Sequence, residues 1–185
     1  MRRFQLLWTP LSFLRLRSPD LTVYQWYLPT SLAVIELITY HWLPVPPSLF
    51  GDKGLVDSLN SLFSVLIGFY IAALAAVATF QNIILDELMR GRAPTIRVYR
   101  QGAAFDTPLT RRRFLVILFG YCSFLSIALF SFGVASKLAA PSFAGSSLAP
   151  TIKVAWLALY LWMASSLLIT TILGLHYLID RMHRE

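Results

Sequence analysis

The distribution of arginine along the chain constrains the fold more than any other feature. All thirteen arginines lie outside four long apolar stretches, in the segments before the first, between the second and third, and after the fourth. The three lysines, Lys53, Lys137 and Lys153, lie in or beside the other two connections. Because arginine and lysine near membrane-spanning segments are retained on the cytoplasmic side, the arginines predict cytoplasmic N- and C-termini and a cytoplasmic middle loop.

The apolar stretches have the length of transmembrane helices. Residues 58–85, 114–136 and 154–179 contain no Asp, Glu, Lys or Arg, and residues 21–51 contain only Glu36. About 20 apolar residues are enough to cross a bilayer. We therefore predict an all-α, polytopic fold with four transmembrane helices. The expected spans are residues 26–44, 57–82, 114–137 and 153–179, with a cytoplasmic loop at 83–113, in one domain over residues 19–185.

The second helix is predicted to extend into the cytoplasm. Its apolar pattern continues to Met89. A helix from Asp57 to Met89 would be about 50 Å long, whereas the hydrocarbon core is about 30 Å thick. We expect a stalk that ends at Gly91. The alternation of apolar and polar residues over 95–100 then favours a short strand or extended segment.

Residues 1–18 carry four arginines among apolar side chains and are too short to span the membrane. The pattern predicts an amphipathic basic segment that lies in the cytoplasmic headgroup region, in contact with anionic lipid. A disordered basic tail is the alternative. Pro10 and the absence of a small-residue cleavage site argue against a signal peptide. Further along, Ser18 and Pro19 favour a helix start, and Pro29 predicts a kink in the first helix.

Small residues recur every four positions in the second helix. They are Ser64, Gly68, Ala72 and Ala76. Such a ladder lets two helix backbones approach closely in lipid. It predicts helix packing rather than the wall of a pore, either within one chain or between subunits. The hydroxyls of the fourth span, on Ser165, Ser166, Thr170 and Thr171, are typical of hydrogen bonds between helices.

Glu36 is a carboxylic acid at membrane depth, with Tyr40 and His41 one turn later. An ionised carboxylate in hydrocarbon is costly, so the side chain should face the bundle, water or a partner. One interpretation is a proton or cation path. A hydrogen-bonded acid that fixes helix register or a subunit contact is favoured, because a relay needs ionisable partners that the other spans lack.

The middle loop carries seven arginines between residues 90 and 113. Within it, Arg92, Arg97, Tyr99 and Arg100 lie farthest from the spans and form a candidate surface for a soluble cytoplasmic protein or for anionic lipid. A basic edge strand could pair with a partner's sheet; direct binding of nucleic acid is a weaker interpretation. Neither a catalytic motif nor clustered metal ligands occur in the spans, so we predict no enzymatic activity, no metal and no cofactor.

The four-span layout, the segment 68–74 running into a helical stalk, and the arginine-rich middle loop resemble small four-span membrane subunits of bacterial anti-phage systems. Among these, they resemble the KwaA-like subunits of Kiwa. This resemblance implies an oligomer in the bacterial inner membrane that senses envelope disturbance and holds a soluble, DNA-binding effector. It assigns no functional residue in this chain.

Two functions follow as expectations. The first is a non-enzymatic membrane scaffold or sensor that forms homo-oligomers and docks a soluble cytoplasmic effector. The alternative is a small pore or an ion- or proton-conducting effector that uses Glu36 and the polar residues of the spans.

Overall fold

The computed structural model describes residues 9–51, 54–79, 83–88, 94–100, 103–143 and 149–182. Within them the chain is mostly helical, as predicted. Four long helices follow one another: α1 (Leu28–Trp42), α2 (Leu55–Thr79), α3 (Arg111–Phe143) and α4 (Ala149–Met182).

The first helix begins before α1. Pro19–Thr22 forms one α-helical turn and Val23–Tyr27 a π-helical segment that runs directly into α1. The π-helical segment lies where the sequence predicts a kink. Pro29 has no N–H group and cannot complete the regular hydrogen-bond ladder, and the N–H of Leu28 instead donates to the carbonyl of Val23. Leu43 is extended and ends α1, because Pro44 disfavours a helical conformation before it.

Three of the described helices are long and apolar enough to cross a membrane: Leu55–Thr79, Arg111–Ser142 and Pro150–Leu178. The 15 residues of α1 are fewer than a span requires. The π-helical segment changes the hydrogen-bond pattern of the first helix at Val23–Tyr27, so only the part from Leu28 is a long α-helix.

The long helices pack in the order α1, α4, α3, α2. Most of the apolar core lies along α3, where Leu118 and Leu129 are fully buried. A smaller cluster around Ala33 and Leu157 joins α1 to α4. Since α2 is at the edge of this row, it is the span least covered by the rest of the chain.

Within the described residues, the second helix does not continue to Met89 as predicted. α2 covers Leu55–Thr79, residues 80–82 lie outside the described part, and the short helix Ile83–Asp86 leads to a backbone bridge between Leu88 and Thr110 beside the start of α3. The last four carbonyls of a helix lack partners within that helix. In α2 one of them, that of Val77, accepts a hydrogen bond of 2.9 Å from Arg112 Nη1. This contact between distant residues brings the chain back to α3.

The segment predicted to be extended is one strand of a hairpin. β1 (Thr95–Arg100) pairs antiparallel with β2 (Ala103–Pro108), and Arg97 lies opposite Asp106. The N–H of Leu109 donates to the carbonyl of Pro94 at the base of the hairpin. The expectation of an all-α chain is therefore wrong in this loop. The second strand, with two alanines and a proline, has little strand preference of its own and depends on pairing with β1.

The N-terminal segment forms a 3₁₀ helix, Thr9–Arg15, that packs against α3. Phe13 and Leu16 are buried, whereas Arg15 and Arg17 are exposed. The predicted amphipathic distribution is therefore present in the described part of the segment. Its apolar side, however, contacts protein rather than lipid, since Phe13 and Leu16 belong to the main core. Residues 1–8 of the predicted interfacial segment lie outside the described residues.

Candidate functional site at the arginine-rich end

The arginine-rich end of the bundle is built from three segments: the N-terminal 3₁₀ helix, the hairpin, and the junction between α2 and α3. The 3₁₀ helix is joined to the hairpin through Arg17 and Thr95, which exchange two backbone hydrogen bonds of 3.0 and 3.2 Å. Arg17 thus adds one residue of antiparallel pairing to the edge of β1. The hairpin is tethered at a second place besides its own ends.

The junction is held by charge-assisted contacts. Arg112 binds both carboxylate oxygens of Asp86, with Nε at 2.7 Å from Oδ1 and Nη2 at 3.1 Å from Oδ2. Bidentate pairing of this kind gives stronger and more directional bonds than a single contact. These hydrogen bonds lower the pKa of Asp86. Beside them, the N–H of Arg111 donates to the carbonyl of Glu87, and the two side chains lie 3.9 Å apart.

The structure places three of the four predicted docking residues on one strand. Arg97, Tyr99 and Arg100 belong to β1. Their backbone register places Arg97 opposite Asp106, Tyr99 opposite Ala104 and Arg100 opposite Ala103 of β2. The side chains of residues 97–100 lie outside the described part, as does Arg92 entirely. On β2, Phe105 is 56% exposed and adds an apolar surface to the basic strand.

The small-residue ladder of α2 faces away from the rest of the chain. Ser64, Gly68 and Ala72 are exposed and Ala76 is half-buried. A Cβ atom placed at Gly68 would meet nothing within 4 Å. The side of α2 that packs into the bundle carries large residues instead, which include Phe63, Tyr70 and Val77. Within the described chain the ladder is therefore not an internal helix contact.

Glu36 lies half-buried between α1 and α4, where the hydroxyl of Ser165 donates to its Oε2 at 3.0 Å. The two neighbours predicted with it are not brought to the same place. Tyr40 donates to the carbonyl of Pro47 at 3.2 Å, and His41 is exposed. The geometry around Glu36 is a hydrogen bond between two helices.

Other polar groups also join helices across the bundle. As predicted, hydroxyls of the fourth span take part: Ser166 bonds to the Tyr121 hydroxyl at 2.9 Å, and Thr171 to that of Tyr70 at 2.5 Å. The tyrosine partners were missed by the sequence reasoning. Their position in the middle of apolar stretches is the signal that could have identified them, since a buried tyrosine hydroxyl needs a partner.

The opposite end of the bundle carries its own polar contacts. Lys137 Nζ lies 2.8 Å from Asp57 Oδ1, which ties α3 to the start of α2. Close by, a Cβ at Gly133 would lie 2.5 Å from Asn60 Oδ1. Glycine at this position thus allows the two helices to approach.

Among the residues that the structure describes, no three or more His, Cys, Asp or Glu side chains are grouped so that they could hold a metal ion. Comparison with protein-family models, curated proteins and solved structures finds no match to this chain.

Proposed function

We propose that the chain is a four-span membrane scaffold that presents its arginine-rich end to a soluble protein. The fourth span in this proposal is the first helix. Its turn, π-helical segment and α1 are continuous over residues 19–42. At about 1.5 Å per residue they extend about 35 Å, which suits a hydrocarbon core of about 30 Å. Trp42 is exposed at the end of this helix and Trp26 about two turns after its start; tryptophan favours the membrane interface.

The proposed orientation follows from charge. Arg17, the hairpin and the start of α3 meet at one end of the bundle, while Lys137 and Asp57 lie at the other. Under the positive-inside rule, we propose that the arginine-rich end is cytoplasmic and that both termini are inside. The bacterial inner membrane is included in the proposal on the strength of the resemblance described above.

The observation that carries the docking proposal is the attachment of the hairpin. Ordering a loop costs about 1–2 kcal/mol per residue in backbone entropy, and a surface ordered in advance lowers the cost of binding a partner. Here Arg17 binds Thr95, the carbonyl of Pro94 binds Leu109, and Leu88 pairs with Thr110. The fixed hairpin presents a basic strand and the exposed Phe105. We infer that its partner is a soluble cytoplasmic protein with an acidic surface.

Assembly is the second part of the proposal. The ladder on α2 gives the chain an exposed helix face on which a second copy could approach closely, with lipid as the competing neighbour. Ser64, Gly68 and Ala72 offer this face without large side chains. We propose a homo-oligomer joined along α2. A role as a sensor of envelope disturbance in anti-phage defence, with a DNA-binding effector as the partner, is included on the strength of the resemblance described above.

The docking proposal is tested by crosslinking in the native host. A photoreactive amino acid replaces Phe105 on the hairpin, or Val45 at the opposite end as the matched control. We expect a soluble protein to be crosslinked at position 105 and not at position 45, and the crosslink to be lost in the double variant Arg97→Ala, Arg100→Ala. If the same proteins are crosslinked at both positions, or the double variant retains the crosslink, the hairpin is not the docking surface.

The alternative function is ion or proton conduction. It is favoured by Glu36, whose carboxylate lies between helices with Ser165 as its partner. Purified protein in liposomes should then carry a proton or cation flux that Glu36→Gln abolishes and Ser165→Ala reduces. Absence of flux in the unmodified protein removes this alternative.

A further inference from the structure

The N-terminal segment reaches the interior of the bundle through Phe13. Its side chain is 1% exposed, and its ring stacks on that of Tyr121 with centroids 5.0 Å apart. Tyr121 lies on α3 about 15 Å from Arg111, at 1.5 Å per residue. The Tyr121 hydroxyl is hydrogen-bonded to Ser166 of α4. Phe13 therefore contacts the place where α3 and α4 are joined.

Phe13 is also hydrogen-bonded to the first helix. Gln25 Nε2 donates to the carbonyl of Phe13 at 2.6 Å, and the N–H of Leu16 donates to it at 3.2 Å. Gln25 is 3% exposed and lies in the π-helical segment. π-helical turns are frequent at functional sites. Here the π-helical segment carries a buried amide whose hydrogen bond joins the first helix to the N-terminal segment.

The connection from Phe13 to the hairpin is short. The four steps along the chain from Phe13 to Arg17 cannot span more than about 14 Å even when fully extended. They are not extended, because they turn through the buried Leu16. Arg17 is in turn bonded at both its N–H and its carbonyl to Thr95. A displacement of Phe13 larger than this turn can absorb therefore moves the hairpin or breaks these two hydrogen bonds.

We propose that residues 13–17 transmit changes in helix packing to the hairpin. When the bilayer alters the contact between α3 and α4, Phe13 shifts with Tyr121, and the Arg17–Thr95 pair changes between an attached and a detached state. Packed contacts favour such discrete states over continuous deformation. The proposal rests on the scaffold function, because it describes how docking at the hairpin is regulated. Residues 13–17, rather than the predicted stalk, would connect the membrane-spanning helices to the cytoplasmic surface.

Hydrogen exchange of the full chain in lipid nanodiscs tests this proposal. The lipids are mixed phosphatidylcholine and phosphatidylglycerol with either 14-carbon or 18-carbon acyl chains, and the readout is exchange in the peptide that contains Thr95. We expect the rate to differ at least threefold between the two bilayers. In Phe13→Ala the rate should rise about tenfold and become equal in both.

Phe63→Ala is the matched control. Phe63 is a buried phenylalanine near Tyr160, toward the other end of the same core, so this variant should weaken the bundle yet keep the difference between bilayers. Gln25→Met is the second variant if Phe13→Ala does not fold; it removes the amide bond to Phe13 and should also reduce the difference.

Equal exchange of the unmodified protein in both bilayers would overturn the proposal. A difference between the bilayers that persists in Phe13→Ala would also overturn it; where that variant does not fold, the same holds for Gln25→Met. Loss of the difference in Phe63→Ala to the same extent would overturn it as well. The readout needs no partner protein. Failure of the crosslinking experiment with an intact bilayer response would count against docking and leave the transmission route standing.

Discussion

Replacing Gly68 with leucine should disrupt assembly without disturbing the fold. A Cβ at Gly68 meets no atom within 4 Å, so the larger side chain has room in the single chain. Glycine is also about 1 kcal/mol less favourable than alanine inside a helix, whereas leucine is close to alanine. The variant should therefore be as stable as the unmodified chain, or more stable by roughly 0.5–1 kcal/mol.

The effect on assembly has the opposite sign. If a second copy packs on the ladder, leucine at position 68 is forced into a close helix contact. Overpacking of this kind typically costs about 1–3 kcal/mol, which corresponds to roughly 5- to 150-fold weaker association. Energy transfer between labelled copies, measured in liposomes over a range of protein-to-lipid ratios, gives the association constant directly.

Gly133→Leu is the matched control for this substitution. Its Cβ would lie 2.5 Å from Asn60 Oδ1, so it should lower the unfolding temperature of the single chain. Comparing the two variants distinguishes a glycine on an exposed helix face, Gly68, from a glycine packed against another helix, Gly133. Unchanged association in Gly68→Leu would refute the reasoning and assign the ladder to lipid.

Two further predictions concern the contacts inside the chain. Hydrogen bonds from Arg112 lower the folded-state pKa of Asp86. The contact therefore stabilises the protein fully at pH values above the unfolded-state pKa of about 4. This stabilisation is lost as the pH falls through the lower folded-state pKa. Thermal unfolding in detergent should consequently lose more stability on acidification than it does in Asp86→Asn, and parallel pH profiles would argue against the contact. Tyr121→Phe keeps the ring that stacks on Phe13 but removes the hydroxyl bonded to Ser166. We expect a loss of about 1 kcal/mol in the free energy of unfolding, measured by denaturation in mixed micelles, and no loss at all would indicate that water replaces the bond.

Local and compositional signals predicted much of the fold. The segregation of arginine and the length of the apolar stretches indicated the helical layout, and three of the described helices are long enough to cross a membrane. Pro19 marked the start of the first helix, because proline at a first helical position acts on its own backbone. These signals need no knowledge of distant contacts.

The errors arise where residues far apart in the chain decide the outcome. The stalk was expected because the apolar pattern continues past Thr79, but Arg112 binds the Val77 carbonyl and Asp86 and brings the chain back. The second strand of the hairpin has only two strand-favouring residues, Phe105 and Thr107, and depends on pairing with β1. Phe13 was assigned to the lipid headgroup region because nothing local shows that Tyr121 is its partner.

For the site residues too, local patterns could be read from the sequence, whereas contacts between distant residues could not. The exposure of the ladder could not be read from spacing, since the same pattern suits an inner or an outer helix face. Glu36 was expected to face the bundle, water or a partner, and its hydrogen-bond partner Ser165 could be identified only from the packing of α1 on α4. Its neighbour Tyr40 binds the carbonyl of Pro47 instead.

The orientation of the bundle is the claim on which the proposed function depends, and cysteine labelling tests it most directly. In a Cys122→Ala background, Val45→Cys and Phe105→Cys each place a thiol at a site that is well exposed, 85% and 56% in the native side chains. In intact cells a membrane-impermeant maleimide should label position 45, and it should reach position 105 only after the inner membrane is permeabilised. Labelling of position 105 from outside, or of both positions before permeabilisation, would contradict the four-span arrangement with a cytoplasmic hairpin.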